Sequence, residues 1–341
     1  MRRVRALIDG RWYSALPLDD PLVTTLRDRP SRYRQWITPD GSPGPAGQAA
    51  RRAEPGRYHL YVSYACPWAH RTILYRKLKG LEGVVSMSVL HPRMAGEHSW
   101  RFADTPDSTP DHLHGCRYLH EVYRRGDPTA TTIVTVPLLW DRATQTIVNR
   151  ESGDILRILE DAFDAWGDPA VRFRPRQHGE AIERMNAFVL GRVCTAVYRT
   201  GFASSQAAYD REVDRLFAAL DELEWRLARQ PYLLGDAITE PDWHLFCTLV
   251  RFDAAYHGAL RCSRRRLLDY PALSAYTRRL YAYPGVADTV DFEAIRRHYY
   301  DDHAEIDPTI VAAPPDIDFR DGAVDRSWSP SGLEAPVLLD R

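Results

Sequence analysis

One short run constrains the fold of this chain more than any other: YVSYACPWAHRTIL, residues 61–74. The alternating apolar residues Tyr58, Leu60 and Val62 read as a strand, and Trp68, Ala69, Thr72, Ile73, Tyr75, Arg76 and Leu78 follow at helical spacing. Between them lie Cys66 and Pro67, the proline at a first-turn position that tolerates it. A strand passing at once into a helix puts Cys66 where unpaired N–H groups and the positive end of the helix dipole favour the thiolate, the reactive form. A lone buried cysteine more often packs as a small hydrophobe. This placement points the other way and predicts a thiol pKa below the ordinary ~8.5.

The second half of the pattern follows at residues 133–163. IVTVPLLWD (133–141) reads as a buried strand interrupted by Pro137, TIVN (146–149) as the next strand, and RESGDILRILEDAF (150–163) as a helix. Proline inside a strand demotes it, unless the bond before it is cis and ends the strand. Thioredoxin-like folds set such a cis-proline against the active cysteine, where Val136 offers its backbone N–H and C=O to an extended, peptide-like ligand. Glu151 and Ser152 stand at the next helix start, where N–H groups and a hydroxyl can hold a carboxylate. A sulfur partner, a backbone clamp and an anion site, in this order, are what glutathione recognition requires. Because the run is CPWA, Cys66 has no CxxC partner and must form a mixed disulfide resolved by an external thiol.

Composition narrows the function classes. The 341 residues suit two domains, and 44% hydrophobic with 27% charged residues is ordinary for a soluble protein. A net charge of -1 gives no electrostatic case for nucleic acid or an anionic membrane surface. The basic start is broken by Asp9, Gly10 and Arg11 before a signal-peptide core can form, and no window approaches a membrane span. Cysteines 66, 116, 194, 247 and 262 are scattered, with neither a disulfide framework nor metal-site spacing. Cys66 and His70, four apart, lack two further ligands nearby for zinc. A reduced, cytoplasmic enzyme without a metal is expected.

Along the chain, residues 1–56 read as an extended N-terminal arm lying on a surface, and 57–163 as a thioredoxin-like α/β domain. A long insertion at 91–132 holds Trp100 and Phe102, which read as exposed aromatics in a polar loop. Residues 164–178 read as a linker, 179–300 as an all-helical domain and 301–341 as an extended tail. Within the helical half, Tyr209, Val213, Leu216, Phe217, Leu220, Leu223 and Leu227 recur at helix spacing. Thr239 and Asp242 form a capping box, with Ile238 and Trp243 as a hydrophobic staple. His112, His114, His298 and His303 read as surface residues.

Several longer stretches carry a family resemblance. They are SRYRQWITPDGSPGP (31–45), EPGRYHLYVSYACPWAHRTILYRKLKGLE (54–82), VTVPLLWD (134–141), TIVNRES (146–152) and YRTGFASSQAAYD (198–210). LVRFDAAYHG (249–258), RLLDYPAL (266–273), PGVADTVDF (284–292) and IRRHYY (295–300) continue the series. In these, over nearly its whole length, the chain resembles the glutathionyl-hydroquinone reductases, the Xi class of glutathione transferases. It departs at Tyr64, where the family has an apolar residue, at IDPTIV (306–311), and in a tail rich in proline and aspartate.

The resemblance implies a thioredoxin-like domain followed by an all-helical transferase-type domain, a homodimer, and glutathione as co-substrate with no permanently bound cofactor. It implies Cys66 as nucleophile, Tyr198 and Tyr299 as donors or positioners at the leaving ring, and Tyr256 and Tyr300 in the substrate pocket. Val136, Pro137, Glu151 and Ser152 would hold glutathione, and Trp100 would close over its glycyl side. The implied partners are glutathione and glutathionylated aromatic small molecules. Two alternatives stay open: an omega-like thiol transferase or dehydroascorbate reductase using the same Cys66, and a non-enzymatic thioredoxin-fold binding protein.

Overall fold

An Asp-Gly pair sets the first element. Asp9 and Gly10 take φ of 48° and 73°, the left-handed pair a two-residue hairpin turn demands. They join β1 (Arg3–Ile8) to β2 (Arg11–Pro17) with Ile8 opposite Arg11. The computed structural model describes residues 3–17, 20–28, 31–94 and 96–301; the tail expected at 301–341, His303 included, lies outside them from residue 302 onward. Residues 1–56 are thus not a plain extended arm. The hairpin is followed by α1 (Pro21–Asp28) and by a parallel pair, β3 (Trp36–Thr38) on β4 (Ala50–Arg52). Leu7, Trp36 and Ile37 are buried, so the segment contributes to a core.

The central sheet is built as the sequence predicts. β5 (Tyr58–Val62) is buried along its whole length and leads into α2 (Pro67–Leu78). Helix α2 ends where Gly80 takes φ 69°. There Gly80 N–H donates to Lys77 O at 3.0 Å and Leu81 N–H to Arg76 O at 2.9 Å, which satisfies two end carbonyls. β6 (Ser86–Val89) returns parallel to β5. The stretch expected as a loop insertion contains α3 (Leu119–Gly126) and ends in β7 (Thr132–Ile133), which pairs antiparallel with β1. β8 (Leu138–Asp141) and β9 (Thr146–Asn149) complete a sheet of order β6-β5-β8-β9, and α4 (Ser152–Ala162) packs against α2.

Contacts divide the chain into two compact units, with a boundary after Val171. The second, Arg172–Asp288, is helical: α5 (Gly179–Val189), α6 (Ala196–Gly201), α7 (Gln206–Leu227), α8 (Glu240–Leu249), the short α9 (His257–Ala259) and α10 (Pro271–Tyr281). Helix α7 buries Val213, Leu216, Phe217, Leu220, Leu223 and Leu227 of the stripe read from its spacing, and leaves Tyr209 half-buried. The capping box also forms: Asp242 accepts from Thr239 N–H and Oγ1, each at 2.8 Å. It accepts further from Leu233 N–H at 2.9 Å and Tyr276 OH at 2.9 Å, so its buried carboxylate ties three segments together. Burial nonetheless pushes its pKa up.

The last described helix, α11 (Phe292–Asp301), groups with the first unit rather than with the helical one. Hydrogen bonds explain this. Thr289 Oγ1 lies 2.8 Å from His70 Nε2, Arg297 Nη1 3.2 Å from Asp107 Oδ2, and His298 Nδ1 2.7 Å from Pro92 O. Trp100 and Phe102 are not exposed either: Trp100 stacks on His298 and Phe102 meets the Tyr61 ring edge-on at 5.7 Å. Among the described residues, no helix is long and apolar enough to cross a membrane.

Candidate active site

The turn from β5 to α2 is closed by two backbone bonds, Cys66 N–H to Ser63 O at 3.2 Å and His70 N–H to Cys66 O at 2.9 Å. They make Cys66 the N-cap of α2, at φ -80° and ψ 121°, with Pro67 opening the helix. The thiol is buried, and its Sγ donates to Val136 O at 3.7 Å. The bond between Val136 and Pro137 is cis. Cys66 and the proline loop, separate in sequence, are thus brought together.

Two residues that sequence reasoning did not single out hold this loop. Arg150 Nη1 donates to Thr132 Oγ1 at 2.7 Å and Ile133 O at 2.6 Å, and its Nε to Ser31 Oγ at 3.0 Å. Tyr123 OH donates to Thr135 O at 2.9 Å. Both act on the backbone just before Val136. Arg150 stands next to Glu151, a local hint; Tyr123 lies in the insertion, where nothing in the sequence marks it.

Glu151 is the N-cap of α4, and Ser152 its buried first residue. Glu151 N–H donates to Asn149 Oδ1 at 2.8 Å, and Asn149 Nδ2 reaches Gln35 O at 3.0 Å and Asp154 at 3.2 Å. Arg34, from the N-terminal segment, grips Asp154 through two bonds of 2.8 and 2.7 Å. A Cβ placed on Gly153 would meet nothing within 4 Å. The first N–H groups of a helix have no intrahelical acceptor.

Trp100 follows Ser99, whose φ is 62°. Its indole is stacked on His298 with centroids 5.4 Å apart and planes 11° from parallel. Tyr299 is buried beside that histidine, ring edge to face at 4.9 Å, and Tyr300 is half-buried. His298, expected at the surface, is therefore half-buried and engaged at Pro92 as well. In the helical unit, Tyr198 and Tyr256 form a pair with hydroxyls 3.3 Å and rings 5.9 Å apart. A wide π-type turn precedes Tyr198, with Thr195 N–H reaching Leu190 O at 3.0 Å, and another ends at Tyr256, whose N–H reaches Arg251 O at 3.2 Å.

The remaining cysteines sit in different surroundings. Burial, reinforced by the Asp111 carboxylate, pushes the Cys116 thiol up to about 12, and burial pushes Cys262 up as well. Cys194 accepts from Thr248 Oγ1 at 3.0 Å, and Cys247 is fully buried. His70, four residues from Cys66, is hydrogen-bonded to Thr289.

Comparison with known proteins agrees with this layout. Family models described as the glutathione S-transferase N-terminal domain and C-terminal domain match residues 65–162 and 206–279. Glutathionyl-hydroquinone reductase YqjG of Escherichia coli is 43% identical over 91% of this chain and 94% of its own length. Its glutathione-bound structure superposes with a TM-score of 0.83 at 42% identity, covering 92% of this chain and 96% of that one. Glutathionyl-hydroquinone reductase PcpF of Sphingobium chlorophenolicum is 42% identical over 91% of this chain and 96% of its own. The structure of a Xi-class transferase from Natrialba magadii gives a TM-score of 0.86 at 40% identity over 93% and 96% of the two chains.

Proposed function

This chain belongs to the glutathionyl-hydroquinone reductases, the Xi class of the glutathione transferases, and from that membership we propose how its residues carry out the reaction. It is a glutathione-dependent oxidoreductase that reduces glutathionyl-hydroquinones to hydroquinones and releases GSSG. The observation carrying the residue assignment is Cys66 at the start of α2 with its sulfur against the cis Val136–Pro137 loop.

In the proposed mechanism the Cys66 thiolate attacks the glutathionyl sulfur of the substrate. A Cys66–glutathione disulfide forms and the bond from sulfur to ring carbon breaks, its electron pair passing to the ring, where a proton completes the hydroquinone. A second glutathione, as thiolate, attacks the mixed disulfide, giving GSSG and restoring Cys66. The two electrons come from the two glutathione sulfurs that end in GSSG, the substrate's own and that of the incoming thiol, so the cycle needs no resident cofactor. Val136 would clamp the tripeptide backbone, Glu151 and Ser152 would hold its γ-glutamyl end, and Trp100 would close over the glycyl side. Tyr198 and Tyr299 would supply hydroxyls to the leaving ring, with Tyr256 and Tyr300 as further walls. The 3.3 Å contact between the Tyr198 and Tyr256 hydroxyls supports that role, because it fixes where the Tyr198 hydroxyl sits.

The likeness to named reductases favours this reading over a thiol transferase, and the intact cysteine, proline loop and α4 start favour it over a mere binding protein. A cytoplasmic location is supported by five free cysteines; a homodimer rests on the family alone. The test is turnover of a purified glutathionyl-hydroquinone with glutathione, followed as GSSG. The chain should release one GSSG per hydroquinone and Cys66→Ala none. Activity on small disulfides with none on the thioether would contradict the reading.

A further inference from the structure

We propose that His298 is the positioning residue for glutathione, acting through Trp100; the inference rests on the reading above, in which Trp100 covers the bound tripeptide. Trp100 is buried, and its indole has a stacking partner on α11. The residue before it, Ser99, is a buried non-glycine residue at φ 62°, a region such residues occupy only when their surroundings impose it. Backbone bonds fix the main chain here, Leu119 N–H to Trp100 O at 3.0 Å, His91 N–H to Arg101 O at 3.0 Å and Phe102 N–H to Arg117 O at 2.9 Å, but they do not set the indole's angle.

The indole's angle is set from α11. The His298 ring lies 11° from parallel with the indole at 5.4 Å, an offset stack. The imidazole is itself fixed. Its Nδ1 is 2.7 Å from Pro92 O, and since a carbonyl only accepts, that nitrogen carries the proton and the ring cannot flip without losing the bond. Arg297, the preceding residue, reaches Asp107 at 3.2 Å, so the same helical turn grips the insertion on either side of Trp100. Tyr299 packs against the imidazole with rings nearly perpendicular and centroids 4.9 Å apart. Glutathione therefore meets an indole already ordered. Without His298, binding would have to order it, which weakens affinity and leaves the sulfur chemistry at Cys66 untouched.

The test is calorimetric titration of glutathione into the full chain carrying Cys66→Ser, which prevents adduct formation, with His298→Ala, Trp100→Ala and both together. His298→Ala should weaken binding roughly 3- to 10-fold, the scale of one aromatic stack. The double variant should be no weaker than Trp100→Ala within about twofold, because the histidine acts only through the indole. His298→Phe, which keeps a flat ring over Trp100, should stay closer to the parent than His298→Ala. Unchanged affinity in His298→Ala, an equal loss with Phe and Ala, or full additivity with Trp100→Ala would each overturn the assignment. Failure of the Cys66→Ser parent to bind glutathione at all would instead bring down the glutathione reading itself.

Discussion

At Cys66 the start of α2 and the Val136 carbonyl meet on one sulfur, which donates to that carbonyl at 3.7 Å. The tyrosines can be tested against this centre separately. A positioned proton donor typically contributes on the order of 10²–10⁴-fold in rate. Tyr198→Phe or Tyr299→Phe should therefore slow hydroquinone release while sparing glutathionylation of Cys66 by small disulfides. Stopped-flow measurement of each half-reaction checks this, and equal loss on both would make the tyrosines structural. Cys66, the proline loop and the α4 start were legible because each is a local signal: a Cys-Pro step, a proline within a strand, a Glu-Ser at a helix opening. Tyr123 and His298 were not, because they act through contacts with segments remote in sequence.

Among the elements, the N-terminal hairpin had a strong signal that the reading as an arm passed over. Asp9-Gly10 flanked by Val4, Ala6, Ile8 and then Trp12 is a two-residue turn between strands. Gly10 is required twice: its φ is 73°, and a Cβ would collide with Pro128 O. Its N–H also donates to Ala130 O at 2.9 Å, tying the hairpin to the approach to β7. Gly10→Ala should destabilise the chain by about 1 kcal/mol or more, read as a lowered urea midpoint. An unchanged midpoint would show that the hairpin adds nothing to the fold. The insertion differs from its loop reading for another reason: Trp100 is covered by His298 of α11 and Phe102 by Tyr61 of β5, partners remote in sequence.

For the whole molecule, acid is the revealing variable. Burial holds His59 neutral, its pKa lowered to about 3, between Ser86 Oγ at 2.7 Å and Ser88 Oγ at 3.0 Å. Burial likewise lowers His120 to about 4. Both lie below the ordinary ~6.5 of histidine, so the unfolded chain binds protons that the folded chain refuses. Their stabilisation is complete above that pH and is lost as pH falls towards 4 and then 3, by up to about 1.4 kcal/mol per pH unit for His59. Urea midpoints between pH 7 and 5 should fall, and less steeply in a His59→Asn chain; an equally steep fall there would remove His59 from the account. The most direct test of the central claim is the mass of the chain after a single turnover of a glutathionyl-hydroquinone without free glutathione. One glutathione should be found, mapped to Cys66 and discharged as GSSG when glutathione is added. An adduct on Cys116, Cys194, Cys247 or Cys262, with Cys66→Ala still turning over, would contradict it.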